Sequence, residues 1–109
     1  MKSPLYIYLA GPYTKGDVAV NVRNMIYDAD YIARLGHFYF CPLYSHFHHM
    51  LIPHDYEFWM NQDFAWVEKC DAIYRMQGES AGADREVELA RSLGLIVFDS
   101  LFSIPKVDK

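Results

Sequence analysis

The sequence lacks the long apolar runs that membrane helices and secretory leaders require. Its first apolar run, at positions 5–10, is six residues long. A membrane helix needs about 20 such residues, and the core of a leader peptide about 7 to 15. We therefore expect no membrane segment and a cytoplasmic protein. This opening run is better interpreted as a short buried strand.

Cysteine and positive charge are also scarce. Cys41 and Cys70 are the two cysteines, and they are too far apart for a CxxC motif, so the sequence predicts neither a disulfide framework nor a zinc knuckle. They are expected to be free thiols. The chain has 10 Lys and Arg against 14 Asp and Glu, a formal net charge of −4, and no basic stripe. A nucleic-acid polymer is therefore not an expected partner, whereas a small anion would need only a few local donors.

Apolar and aromatic side chains, by contrast, are abundant. Hydrophobic residues make up 52% and aromatic residues 17% of the 109 positions. That composition supplies one packed core and argues against disorder. We therefore expect a single domain that spans residues 1–109.

Apolar runs and helical spacing alternate along the chain. Strands are predicted at 5–10, 37–43, 71–76 and 95–98, and helices at 18–33, 55–70 and 82–93. Asp17 is the expected cap of the first helix and Gly36 its end. Such alternation predicts a three-layer α/β/α fold, flavodoxin-like or Rossmann-like, with a parallel sheet of four to five strands. Ligands of such sheets bind beyond the strands' C-terminal ends. Here that edge comprises residues 11–16, 77–82 and 43–54, the last expected to be an irregular loop.

Two carboxylates are out of place on the predicted helices. At about 100° per residue, Glu86 falls among Ala83, Ala90 and other apolar residues. Asp63 falls in the apolar arc of the preceding helix, formed by Tyr56, Trp59, Met60, Trp66, Val67 and Cys70. Burying an unpaired carboxylate costs several kcal/mol. Each acid could cap a loop or pair with an Arg, or the two could serve glycosyl transfer, which uses paired carboxylates. The patterns alone leave both interpretations open.

Three segments carry a family resemblance. "YLAGPYTKG", "DFAWVEKCDAI" and "SAGADREVELA" resemble, in this order, motifs of the nucleoside 2-deoxyribosyltransferase-like superfamily. The likeness is greatest to its 2'-deoxynucleoside 5'-monophosphate N-glycosidases and related small members. It covers nearly the whole chain except residues 43–56 and the C-terminal tail.

The resemblance implies a catalytic trio. The family's nucleophilic Glu lies four residues after a Gly and four before an Ala, which here are Gly82, Glu86 and Ala90. Its strand-one Tyr, which holds the nucleophile, corresponds to Tyr8, and its sugar-binding Asp corresponds to Asp63. The implied reaction breaks the bond between base and sugar through a covalent glycosyl-Glu intermediate, without metal or cofactor.

A phosphate subsite is implied as well. The family's monophosphate hydrolases carry a Ser six residues before the nucleophile, as Ser80 does here, where its transferases carry an acid. A hydroxyl and backbone N–H groups at a helix start suit a phosphate. Pro12 and Lys15 depart from the "GSIRGG"-like loop of the hydrolases. The expected substrate-binding residues are Gly11, Pro12, Tyr13, Thr14, Lys15, Gly16, Ser80 and Gly82.

The expected function is therefore N-glycosidase action on a (deoxy)nucleoside 5'-monophosphate. The alternatives are a base-exchanging deoxyribosyltransferase and a nucleotide-binding module without turnover. The expected partners are a small nucleotide or nucleoside and, by the resemblance, a second copy of the chain in a homodimer or higher oligomer.

Two further groups of residues have less specific interpretations. His46, His48, His49 and His54 could suggest a metal site, but their spacing is not a standard zinc arrangement, and we expect residues near the pocket. Trp59, Phe64 and Trp66 are expected in the core or an interface. Tyr13 is the better candidate for stacking on a base.

Overall fold

The computed structural model describes residues 3–108 as four strands, four α-helices and two short 3-10 helices. In chain order these are β1 (Tyr6–Ala10), α1 (Val18–Arg34), β2 (Phe38–Phe40), a 3-10 helix (Pro42–Ser45), α2 (His46–Leu51), α3 (Tyr56–Val67), β3 (Ala72–Arg75), α4 (Ala81–Ser92), β4 (Ile96–Phe98) and a 3-10 helix (Leu101–Ser103). No helix within these residues has the length and apolar character needed to cross a membrane.

The four strands form one parallel sheet in the order β2-β1-β3-β4. Alternate residues of β1 point to opposite faces of this sheet. Ile7 and Leu9 pack with α1, whereas Tyr8 and Ala10 pack with α3 and α4. The predicted three-layer α/β/α fold with a small parallel sheet is therefore confirmed.

Side-chain caps fix where the long helices begin. Asp17 accepts the backbone N–H of Val20 at 3.0 Å, as the sequence predicts, and Asp55 accepts that of Phe58 at 2.8 Å. Such caps satisfy N–H groups that have no partner within the helix. Gly36 follows α1 with a φ of +100°, a conformation that glycine adopts most readily.

The prediction of an irregular loop at 43–54 was wrong over most of its length. Pro42 begins a 3-10 helix, and α2 follows it without a break. Proline at a helix start has its φ already set and loses no hydrogen bond. Positions 43–52 contain no Gly or Pro, which is compatible with a helix. The unusual aromatic and histidine content of this segment led instead to the prediction of a loop.

The predicted apolar arc of α3 was also partly wrong. Tyr56 and Trp66, assigned to its buried arc, are 52% and 48% exposed, and the helix ends at Val67 instead of position 70. Trp66 lies against the ring of Phe40 at the β2 edge, with ring centroids 4.7 Å apart. Its packing against one strand residue leaves the other side of the indole uncovered.

A buried histidine joins the C-terminal tail to the sheet. The ring of His37, just before β2, accepts the backbone N–H of Leu5 at 3.0 Å through Nδ1. Its Nε2 is 2.6 Å from the carbonyl oxygen of Pro105. The neutral ring therefore carries its hydrogen on Nε2 and donates it to that carbonyl. The sequence offered no separate signal for this role.

Replacing His37 should destabilise the protein without touching the cavity described below. His37→Ala leaves a buried donor and a buried acceptor without partners, so we expect a loss of about 2 kcal/mol or more in the free energy of unfolding. Urea denaturation measures it. His48→Ala, at an exposed histidine, is the control and should change this free energy by about 0.5 kcal/mol or less. Equal losses in both variants would contradict the bridging role.

Candidate active site

A cavity of about 430 Å³ opens at the C-terminal edge of the sheet. Its walls come from the segments after β1, β2 and β3 and from the inward sides of α3 and α4. The segments 11–16, 43–54 and 77–82, predicted to meet at this edge of the sheet, therefore do meet there. Its lining includes Gly11, Tyr13, Thr14, Lys15, Pro42, Leu43, Ser45, His46, His49, His54, Tyr56, Trp59, Met60, Asp63, Glu79, Ser80, Ala81, Gly82, Ala83 and Glu86.

Glu86 points inward from α4 and is 4% exposed. The fully buried Tyr8 of β1 donates its hydroxyl hydrogen to Glu86 Oε2, 2.8 Å away. Burial, followed by the charge of Glu86, raises the pKa of Tyr8 well above its usual value. Tyr8 therefore remains a protonated donor that fixes one carboxyl oxygen, while the side chain of Glu86 still lines the cavity.

Asp63 of α3 and Glu86 of α4 affect each other's pKa. Burial raises the pKa of Asp63 to about 6, although hydrogen bonds with Glu86 and Tyr8 lower it. Burial, the charge of Asp63 and a hydrogen bond with Asp63 raise the pKa of Glu86 well above its usual value, against lowering effects of Tyr8 and Arg75. Two close carboxyls resist ionising together, so each favours the protonated form of the pair. The hydrogen bond from Tyr8 favours ionised Glu86, whereas burial and Asp63 oppose its ionisation.

Arg85 of α4 forms an ion pair with α3, the helix that carries Asp63. Its guanidinium donates to both carboxylate oxygens of Glu57 on α3, at 2.9 and 3.2 Å. Beside it, a Cβ on Gly82 would lie 3.3 Å from the Tyr56 hydroxyl and 3.4 Å from Met60 Sδ. A small residue there lets α4 start close against α3, which brings Glu86 near Asp63.

Arg75 is a residue of this region that the sequence analysis missed. It ends β3 and donates to the carbonyl oxygens of Met76 and Gly78 and to Asp84 Oδ1, the last at 3.0 Å. It thus orders the turn that leads into α4, and its charge favours ionised Glu86. An arginine at the end of an otherwise buried strand was the available signal.

The predicted phosphate donors lie on one wall. Ser80 caps α4 by accepting the backbone N–H of Ala83 at 3.1 Å, and its own hydroxyl hydrogen is not used in that bond. Lys15 Nζ lies 3.4 Å from Glu79 Oε2, and both side chains are largely exposed. Lys15 and Glu79 therefore neutralise each other at the cavity wall in the ligand-free protein.

Other predicted residues have different positions. Pro12 and Gly16 lie outside the cavity lining; Pro12 instead packs against Gly78, where an added Cβ would be 2.7 Å from its Cγ. Gly11, Tyr13 and Thr14 line the cavity as expected. The hydroxyl of Tyr13 lies 2.7 Å from Nδ1 of His46, so this tyrosine bridges two walls.

Three of the four histidines of this region, His48, His49 and His54, surround Trp59. Its indole N–H donates to Nδ1 of His49 at 2.8 Å, and the rings of His48 and His54 approach it edge-on. Residues 3–108 contain no group of three potential metal ligands. Both cysteines are free, Cys41 buried and Cys70 half-buried.

Comparison with known proteins relates this chain to one solved structure and to one family. A 2-deoxyribosyltransferase from the psychrotolerant bacterium Bacillus psychrosaccharolyticus is similar in structure, with a TM-score of 0.62 and 20% identity over 84% of this chain and 69% of that one. The predicted deoxyribosyltransferase-like fold is thus confirmed. Residues 5–99 match the family described as a domain of unknown function, DUF4406, and the chain belongs to that family. No curated protein matches.

The buried carboxyl should lower stability as pH rises. The pKa of Glu86 is higher in the folded than in the unfolded chain, so the folded state binds more protons and loses stability from about pH 4.5 upward. Glu86→Gln does not titrate. Relative to the natural protein, it should gain on the order of 1 to 3 kcal/mol between pH 4.5 and pH 8.

Urea denaturation at both pH values measures this gain. Glu88→Gln, an exposed position on the same helix, is the control. If the stability of Glu86→Gln relative to the natural protein stays constant or falls between pH 4.5 and pH 8, the raised pKa assigned to buried Glu86 is contradicted.

Proposed function

We propose that this protein is an N-glycosidase that cleaves the base–sugar bond of a (deoxy)nucleoside 5'-monophosphate through Glu86. The observation that carries the proposal is the buried Tyr8–Glu86 hydrogen bond, 2.8 Å long, beside the Asp63 carboxyl in a cavity of about 430 Å³. The similarity to a 2-deoxyribosyltransferase supports glycosyl chemistry at the level of the fold.

Each member of the trio has one role in the proposed reaction. A Glu86 oxygen attacks C1' of the sugar, and the electron pair of the C1'–N bond leaves with the base. Tyr8 holds the other carboxyl oxygen so that the attacking one is aimed at the cavity. Asp63 binds a sugar hydroxyl. Water then hydrolyses the glycosyl ester and restores the Glu86 carboxylate.

The protonation of Glu86 sets a condition for catalysis. Glu86 is a nucleophile only when ionised, whereas burial and Asp63 favour its protonated form. A sugar that acquires positive charge at C1' stabilises the carboxylate beside it. Transfer of the proton from Glu86 to Asp63, or its loss to solvent, therefore precedes attack.

Ser80, the N-terminus of α4 and Lys15 support a 5'-phosphate. Ser80, Ala81 and Gly82 line the cavity at the helix start, where backbone N–H groups favour an anion. The phosphate replaces the Glu79 carboxylate as the partner of Lys15. Base exchange remains the second candidate, favoured by the similarity to a transferase; adding a free acceptor base to the assay separates it from hydrolysis.

Aromatic exposure at the β2 edge supports the expected homodimer. Tyr6 and Phe38 are 57% and 54% exposed, with ring centroids 5.2 Å apart, and the half-exposed Trp66 stands on α3 at the same edge. Light scattering after size exclusion measures the mass directly.

Removing the nucleophile should abolish base release. Glu86→Gln keeps the shape of the side chain but cannot form the glycosyl ester, so we expect a loss of about 10⁴-fold or more in kcat. Tyr8→Phe should lose about 10- to 100-fold, because it removes one positioning hydrogen bond. Chromatography of free base measures both rates, with Glu88→Gln as the control. Unchanged release by Glu86→Gln would contradict the mechanism.

The phosphate preference should depend on the Lys15–Glu79 pair. Lys15→Ala should raise KM for a deoxynucleoside 5'-monophosphate about 10-fold, and Glu79→Gln should lower it several-fold, because the carboxylate competes with phosphate for Lys15. The KM for the unphosphorylated nucleoside should change little in either variant. Parallel changes for both substrates would contradict the subsite.

A further inference from the structure

His49 is a cavity residue that the proposed mechanism does not use. It lies on α2, and its ring lines the same cavity as Glu86 and Asp63. Nδ1 accepts the indole N–H of Trp59 at 2.8 Å, and the backbone N–H of His54 lies 3.4 Å from the same atom. The side chain is thus fixed through one nitrogen by two donors.

These contacts determine the tautomer of His49. An indole nitrogen can only donate, so Nδ1 must be the acceptor and the neutral ring carries its hydrogen on Nε2. The two nitrogens lie on opposite sides of the imidazole, and Nε2–H therefore points away from Trp59. The Nε2–H donor thus has a defined orientation relative to Trp59, and His49 lines the cavity together with Glu86 and Asp63.

Trp59 also fixes His49 relative to Asp63. Trp59 and Asp63 are four positions apart on α3, which puts them on the same side of the helix and about 6 Å apart along its axis. Both line the cavity. The Trp59 ring is held edge-on by the rings of Phe58, His48 and His54, at centroid distances of 4.9, 5.0 and 5.7 Å. The donor, the indole that aims it and the sugar-binding acid thus belong to one packed unit.

We propose that His49 donates a hydrogen bond from Nε2–H to the departing nucleobase, with Trp59 as its positioning residue. This inference rests on the proposed glycosidase function. When the Glu86 oxygen bonds to C1', the electron pair of the broken bond stays on the base, which gains negative charge. His49 stabilises that charge and keeps its hydrogen throughout; the base takes its proton from water afterwards. A neutral, preoriented donor of this kind acts only where charge develops.

The role predicts a dependence on the leaving group. His49→Phe keeps an aromatic ring but removes the donor, so cleavage of a deoxynucleoside 5'-monophosphate should fall about 100-fold or more. A p-nitrophenyl 2-deoxyriboside 5-phosphate releases a stable anion that needs no such donor, and its cleavage should fall less than about 5-fold. Equal losses for both substrates would overturn the proposal.

Two further variants separate this role from a structural one. Met50→Phe adds a ring at an exposed position of α2 outside the lining of this cavity, and should leave both rates within about 3-fold of the natural protein. Trp59→Phe keeps a ring but frees His49, and should reduce nucleotide cleavage about 10-fold with little effect on the activated substrate. Glu86→Gln should lose activity on both substrates, which distinguishes failure of the nucleophile from failure of the donor.

A binding measurement tests His49 even if no nucleotide is cleaved, an outcome that would remove the glycosidase function itself. Nitrogen-15 NMR of the natural protein should show the Nε2–H tautomer for His49. Titration with adenine, guanine, cytosine or thymine should shift that signal for at least one base, and His49→Phe should weaken binding of that base about 10-fold. An Nδ1–H tautomer, or equal affinity in the two proteins, would overturn the proposal.

Discussion

The burial of the Glu86 carboxyl against Tyr8 is the constraint on which the site depends. A side chain that is 4% exposed, with a carboxyl on an otherwise apolar helix face, lowers stability unless hydrogen bonds compensate. Tyr8 donates one such hydrogen bond to Glu86, and Asp63 forms another with it. Within residues 3–108, no buried side-chain polar atom lacks a hydrogen-bond partner, so hydrogen bonds compensate the burial of this carboxyl.

The rest of the fold brings the side chains of Tyr8, Asp63 and Glu86 close together. Parallel pairing of β1 and β3 sets Tyr8 beside Ile73 at the centre of the sheet, under α4. Close contact at Gly82 and the Arg85–Glu57 ion pair fix the spacing of α3 and α4. A site built from a strand and two helices is more rigid than one built on loops. The connections that follow the strands form the other walls of the cavity.

The sequence predicted the parts of this arrangement that periodicity encodes. Helical spacing revealed both inward acids, and the alternation of elements revealed the sheet, because each depends on a local pattern. The bond from Trp59 to His49 and the turn ordered by Arg75 join side chains to groups outside their own element, and the residue spacing within one element carries no record of those contacts. The ionisation of Glu86 depends on its burial and on Asp63 of another helix, which residue spacing along one helix does not reveal. Ser80 was suggested by its position in the family's motif pattern, whereas Lys15 departs from that pattern.

Mass spectrometry of a trapped intermediate tests the central claim most directly. A 2'-fluoro nucleotide analogue destabilises positive charge at C1' and slows hydrolysis of a glycosyl ester, so the intermediate should accumulate. Glycosyl chemistry at Glu86 predicts a mass increase of one fluorosugar phosphate, confined to the peptide that contains Glu86 and absent when position 86 is Gln. Release of base with no adduct, or an adduct on any other residue, would contradict the account.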